Sequence, residues 1–201
     1  MSVNRLLRLA LVMLIVSASA FAAKKTQTAP GTYEQWGPDI DKLEIVRSFK
    51  LSDYSAIVVE TPDASSTPAP ADKDLTEKVT KVLSDAREPL VEGLQKKLKT
   101  PAVVDAEPAD KTGVLIVRTK ITLMDPGSRS KRMFVGYGAG AARTAVSGEI
   151  VDAATGAVLV RFEQERRSGI ERFGRGSSYE EIMKRNLVAI GQDAGNLLRE
   201  F

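Results

Sequence analysis

The sequence predicts an α+β fold: a mixed, mainly antiparallel sheet of four to five strands, with two helices packed on one face. Residues 144–165 hold two runs that alternate between apolar and polar side chains around a short turn, which is the pattern of a β-hairpin. Residues 74–99 and 178–201 carry apolar side chains three and four positions apart, as amphipathic helices do. The resulting order, strand–helix–strand–strand–hairpin–helix, is typical of an α+β domain.

The N-terminus has the layout of a cleavable secretory signal peptide over residues 1–22. Arg5 and Arg8 precede an apolar run over residues 9–16, and Ala20-Phe21-Ala22 supplies a small-residue cleavage site. The run is too short to span a bilayer comfortably, which makes an uncleaved anchor the less favoured alternative. We therefore expect a periplasmic protein, cleaved after Ala22, with no transmembrane segment in the mature chain.

The rest of the chain is expected to contain one folded domain. Residues 23–35 are polar and lack periodicity, which predicts a flexible tail. Residues 36–201 fit a single α+β domain by length, and Trp36 is expected to cover one end of its core.

The composition excludes several classes of function. The 29 basic side chains include Arg5 and Arg8, so a processed chain carries 27 basic against 26 acidic side chains. A nucleic-acid-binding domain usually has a far larger basic excess. The chain has no cysteine and no histidine, which removes disulfides, thiolate nucleophiles, zinc–thiolate sites and the commonest general base. We expect no cofactor, no metal and no catalytic activity.

The first half of the domain is predicted to run from a strand to a long helix. Residues 54–60 are rich in β-branched side chains and predict a buried strand, and the proline-containing residues 61–71 predict a loop. The helix pattern begins at Asp74, has Glu77 as a capping partner and ends before Pro101. Pro89 inside this pattern predicts a kink or a break.

The second half of the domain is predicted to be mostly strands. Residues 102–105 form a short strand candidate, and residues 113–124 alternate over a longer run. Residues 125–128, Asp-Pro-Gly-Ser, predict a turn. The hairpin turn is predicted at residues 152–156, where Thr155-Gly156 supplies the positive φ that a short loop often needs.

A glycine-rich segment precedes the hairpin. By residue type and spacing alone, Gly136, Gly138 and Ala141 match a loose dinucleotide-binding fingerprint. That motif, however, needs a strand before it and a helix after it. Here a strand follows, so the cofactor interpretation fails. The favoured interpretation is a bulge, a bend or the close approach of another backbone, which a partner or a ligand could use.

The order of motifs in this region resembles a known bacterial family. The pattern R-x-x-V-G-Y-G-A-G-x-A from Arg132, then an alternating strand, then D-x-x-T-G-x-V-L from Asp152, is similar to domain-of-unknown-function family 4410. The resemblance extends over most of the chain after residue 35 and includes Trp36, the strand at residues 54–60 and the closing helix. It implies a secreted, envelope-associated α/β domain, and it brings no known catalytic residues.

These observations favour a non-catalytic periplasmic or cell-envelope binding or assembly module that presents the edge of its glycine-rich hairpin. The expected partner is an envelope protein or a second copy of the chain, and peripheral membrane contact stays open. The alternative is an enzyme or a binding protein for a phosphate-type anion that uses the same loop. Both hypotheses share the candidate contact residues Gly136, Tyr137, Gly138, Gly140, Arg129, Lys131, Arg132 and Arg143.

Those cations belong to a wider basic group. Arg166, Arg167, Arg172 and Arg175 follow the hairpin, and together with the loop cations they could form a positive patch. Intervening glutamates dilute it, so a solvated, mixed-charge edge is the favoured interpretation.

Overall fold

A mixed sheet forms the frame of the fold in the computed structural model, which describes residues 28–37, 39–128, 140–168 and 178–201. Its strands, in sheet order, are β1 (Gly31–Trp36), β2 (Ile40–Ile45), β7 (Val158–Ser168), β6 (Ala142–Asp152), β5 (Val114–Asp125), β3 (Ala56–Val59) and β4 (Ala102–Val104). β3 runs parallel to β4 and β5, and all other neighbours are antiparallel. The predicted signal peptide lies outside the described residues.

Three helices cover one face of this sheet: α1 (Lys73–Ser84), α2 (Arg87–Lys97) and α3 (Tyr179–Leu198). α3 packs against β6, β7 and both other helices. Its N-terminus has a capping box, in which Ser178 accepts from the Glu181 N–H and the Glu181 carboxylate accepts from the Ser178 N–H. None of the described helices is long and apolar enough to cross a membrane.

The α+β class is confirmed, but both element counts were wrong. The described sheet has seven strands rather than four to five, and three helices cover it rather than two. The predicted long helix divides at Asp85 and Ala86, because Pro89 has no N–H and is tolerated only within the first turn of a new helix. Residues 31–35, expected to belong to a tail, form most of β1 instead.

The core lies between the sheet and the helices. Leu43, Ile57, Leu115, Ile150 and Phe162 project from neighbouring strands towards the helices and are fully or almost fully buried. A smaller apolar cluster lies on the opposite face, around Val114, Ile116 and Val151.

A register shift between Ile121 and Leu123 marks an irregularity in β5. Strict alternation from Ile121 would place Leu123 on the core face, but Leu123 is only partly buried and Met124 is buried in the core. An irregularity of this kind changes which side chains face the core beyond it.

Glycines allow α2 and α3 to approach each other closely. A methyl group added at Gly93 of α2 would overlap the carbonyl oxygen of Val188, and one added at Gly191 of α3 would overlap the carbonyl oxygen of Leu90. Gly195 of α3 lies against α2 as well, since a methyl group added there would overlap the side chain of Lys97. Both glycines of α3 therefore face α2.

We expect Gly191→Ala to lower the free energy of unfolding by about 2–3 kcal/mol, since the added methyl group has to push the two helix backbones apart. Urea denaturation followed by circular dichroism measures this change. Asn196→Ala, at an exposed position of the same helix, is the control and should stay within about 0.5 kcal/mol of the wild type. Equal effects of the two substitutions would contradict the close helix contact.

Candidate interaction site at the hairpin end

The turn of the hairpin has the predicted structure. The Asp152 Oδ1 atom accepts hydrogen bonds from the Thr155 N–H and hydroxyl, each at 2.8 Å, and Gly156 has φ 69°. Tyr54, two residues before β3, donates a hydrogen bond from its hydroxyl to Asp152 Oδ2 at 2.9 Å. Burial, together with this bond to a carboxylate, raises the pKa of Tyr54 to about 12. The turn is therefore anchored to the neighbouring part of the sheet.

The opposite end of the hairpin lies where β5 ends and β6 begins. The Gly127 N–H donates to Asp125 Oδ1 at 2.8 Å, and the Ser128 N–H donates to the Gly140 carbonyl at 3.0 Å. Gly127 has φ 71°, and a side chain there would overlap the Gly140 carbonyl. The predicted turn at residues 125–128 is confirmed, and we call this region, with the adjoining ends of β6 and β7, the hairpin end.

Two of the predicted contact residues, Gly140 and Arg143, lie at the hairpin end. The other six lie outside the described residues: Arg129, Lys131, Arg132, Gly136, Tyr137 and Gly138. The prediction that the hairpin presents an edge of the sheet was wrong, because both of its strands lie inside the sheet. β6 pairs with β5 and β7, and β7 pairs with β2 on its other side, because β1 and β2 extend the sheet beyond the hairpin.

Arg143 is held by a carboxylate on the face of the sheet opposite the helices, which we call the open face. Its Nε and Nη2 atoms donate to the two oxygens of Glu165 at 2.8 and 2.7 Å. Arg167 donates its Nε to the same carboxylate at 2.6 Å, and the Glu165 N–H donates to Asp41 at 2.6 Å. The hydrogen bond from Arg143, reinforced by Arg167, lowers the pKa of Glu165 to about 2. One carboxylate thus fixes two partly exposed guanidinium groups.

On the helix-facing side, α3 binds the hairpin end through buried polar groups. Asp193 of α3, 5% exposed, accepts hydrogen bonds from Gln164 and Arg166 of β7. Arg166 also pairs with Asp39 at 3.0 Å. Burial raises the pKa of Asp193, and the charge of Arg166 acts in the opposite direction.

A second polar contact lies beside the first. The Asn186 side chain of α3, 2% exposed, donates to the Thr144 hydroxyl at 3.2 Å and accepts from the Ser168 hydroxyl. Asn186, Thr144 and Ser168 were not among the contact residues predicted from the sequence. The sequence carried one signal for this contact, which is that polar side chains occupy core-facing positions of α3 and β7. In β7, Gln164, Arg166 and Ser168 continue the every-second-residue series whose earlier members are apolar.

Charged side chains on neighbouring strands lie opposite one another across the open face. One row contains Glu60, Arg118, Glu149, Arg161 and Glu44, whose signs alternate from strand to strand. Arg161 bonds to Glu149 at 2.9 Å and to Glu44 at 3.1 Å, and Arg118 bonds to Glu60 at 3.0 Å. A hollow of about 490 Å³ borders this row, with Ser147 and Gly148 among its lining residues. Such exposed pairs each contribute little to stability, about 0–1 kcal/mol.

The described part of the chain contains no group of three acidic side chains placed to hold a metal ion. At the hairpin end, Arg143 already uses two of its donor nitrogens on Glu165. The arrangement can present pre-ordered guanidinium groups to an acidic surface through their remaining N–H groups.

The Glu165 cluster predicts a pH dependence. The folded pKa of about 2 lies below the ordinary value of 4.5, so its stabilisation is complete above pH 4.5 and is lost as the pH falls towards 2. Glu165→Gln should therefore lose less stability than the wild type between pH 5 and pH 2. The difference should not exceed about 1 kcal/mol, because the pair is partly exposed. Urea denaturation at several pH values measures it, and Glu77→Gln on α1 is the control. Parallel curves for Glu165→Gln and the wild type would contradict the assignment.

Comparison with known proteins gives one family match and several distant structural similarities. No curated protein sequence matches the chain. The structure is similar to the PelC dodecamer of Paraburkholderia phytofirmans at 12% identity and a TM-score of 0.46, covering 75% of this chain and 96% of that one. It is also similar to protein XCC0632 of Xanthomonas campestris at 9% identity and a TM-score of 0.46, covering 73% and 85%.

The lipoprotein GNA1162 of Neisseria meningitidis is a third similar structure, at 13% identity and a TM-score of 0.31, covering 72% of this chain and 99% of that one. The model of the family described as domain of unknown function DUF4410 matches residues 44–170, from β2 to just beyond β7. Since that match includes more than half of the chain, the protein belongs to the DUF4410 family.

Proposed function

We propose that this protein is a non-catalytic module of the bacterial cell envelope that binds a protein partner at the hairpin end, with Arg143 and Arg167 as anchors. The signal-peptide pattern in the first 22 residues supports the periplasmic location. The observation that carries the proposal is the Glu165 carboxylate, which holds both guanidinium groups in fixed positions on the open face.

Arginine side chains that are already held in place before binding favour association with a partner. Immobilising a long side chain on binding costs about 0.5–1.5 kcal/mol, and here Glu165 has already reduced the freedom of both arginines. The helix side of the same strands is held by Asp193 and Asn186 of α3, so the backbone beneath the arginines is supported as well. Arginine is enriched in protein interfaces, where its planar group donates to carboxylates and carbonyls.

The position of the arginines favours a protein partner over a small anion. The Arg167 side chain is 67% exposed, and the Arg143 side chain 41%. Both lie on an open sheet face beside Glu165, whose negative charge disfavours a second anion bound close to the same groups. A broad acidic protein surface can instead reach each guanidinium from outside this cluster.

A photo-crosslinking amino acid at position 163, an exposed position of β7 on the open face two residues from Glu165, tests this function in the intact envelope of the host and leaves both arginines in place. We expect one crosslinked species of defined mass in the periplasmic fraction, and about tenfold less of it when Arg143→Ala is added, since a loss of about 1.4 kcal/mol is tenfold in affinity. The same probe at Lys81, an exposed position of α1, is the control and should give no such species.

Two results would contradict the proposal. One is equal crosslinking from positions 163 and 81, which would indicate random encounter. The other is a small molecule that co-purifies with the protein in native mass spectrometry and is lost in Arg143→Ala, which would assign the hairpin end to a ligand.

A further inference from the structure

β1 is an open edge of the sheet. It pairs with β2 through residues 31–36, and on its outer side the main-chain groups of residues 31–35 have no partner among the described residues. The opposite edge strand, β4, has only three residues. Unpaired N–H and C=O groups along an edge form a template for another strand.

The side chains of β1 do not protect this edge. Natural proteins commonly guard an edge with lysine, proline or an inward-pointing charge. β1 has the sequence Gly-Thr-Tyr-Glu-Gln-Trp, and its one charged residue, Glu34, lies opposite Lys42 of β2. Tyr33 packs partly against the core, opposite the fully buried Leu43, and its hydroxyl donates to the Ala29 carbonyl at 2.7 Å.

We propose that β1 pairs with β1 of a second copy of this chain, antiparallel, about a two-fold axis at Tyr33. This is a second surface, separate from the hairpin end and independent of the function proposed for it. Residues directly opposite each other in an antiparallel pair lie on the same face. The axis therefore places Tyr33 opposite Tyr33 of the second copy and Thr32 opposite Glu34 of the second copy.

Charge selects this register. An axis at Glu34 would place two carboxylates directly opposite each other, which is destabilising in a strand pair, whereas the axis at Tyr33 gives each Glu34 a threonine hydroxyl. The pairing ends at Gln35, whose φ of 52° departs from strand geometry. Two-fold pairing of identical surfaces is the commonest arrangement in soluble oligomers.

A pair of substitutions at Thr32 tests the register by analytical ultracentrifugation of the purified protein over a range of concentrations. Thr32→Glu places carboxylates opposite Glu34 of the second copy, twice by symmetry, and Thr32→Lys places ammonium groups there. We expect a reversible wild-type dimer, and dimer dissociation constants about tenfold apart for the two variants, with Thr32→Glu the weaker.

The same pair at Thr80, Thr80→Glu and Thr80→Lys, is the matched control on the exposed face of α1 and should leave the dimer unchanged. Position 32 also lies opposite Glu44 of β2, so urea denaturation of each variant separates an effect on the monomer from one on the dimer. Arg143→Ala should leave the dimer intact, which separates this surface from the hairpin end.

Disulfide formation provides a test that does not depend on charge. The chain has no cysteine, so a single introduced cysteine can form a disulfide only between copies. Tyr33→Cys lies opposite itself in the proposed register and should form a covalent dimer under mild oxidation. Thr32→Cys lies opposite Glu34 of the second copy, and Thr80→Cys lies away from the edge, so both variants should form little covalent dimer. A wild type that is monomeric at every concentration, a dimer insensitive to charge at position 32, or equal crosslinking from positions 33 and 80 would overturn the proposal.

Discussion

The docking of α3 is the constraint on which the rest of the structure depends. Gly191 lies against the backbone of Leu90 with no room for a methyl group, so α2 and α3 form one closely packed pair. Further along the same helix, Leu187 and Ile190 are buried in the core between that pair and the sheet. A protein interior is close-packed, so a small displacement of α3 would be felt along the whole helix layer.

The same helix also determines the position of the strands at the hairpin end. Asp193 and Asn186 are almost completely buried, and each forms hydrogen bonds with side chains of β6 or β7. Buried polar groups require well-placed partners, because an unpaired one costs about 1–3 kcal/mol. These bonds therefore favour one position of the strand ends relative to α3, whereas apolar contacts alone would allow sliding.

The two faces of the hairpin end consequently have different roles. The helix-facing side contributes positional specificity through buried bonds, and the open side presents Arg143 and Arg167 in a fixed arrangement around Glu165. The row of alternating charges beyond them forms ion pairs on the open face and adds little stability, since exposed ion pairs are weak. What distinguishes the arginine cluster from that row is that one carboxylate binds two guanidinium groups and has its pKa lowered to about 2.

The sequence by itself determined the α+β class, the hairpin with its turn at Asp152, the capped start of α3 and the membership of the DUF4410 family. Each depends on local patterns, such as two-residue periodicity, capping residues and turn chemistry, which neighbouring residues carry. Only the tertiary structure decided that β1 joins the sheet, that the hairpin lies inside it, that Gly191 meets α2, and that Arg143, Glu165 and Arg167 share one cluster. Those features depend on which distant segments meet: β1 carries no core-facing alternation of its own, and a glycine shows only that space is needed, not which neighbour fills it.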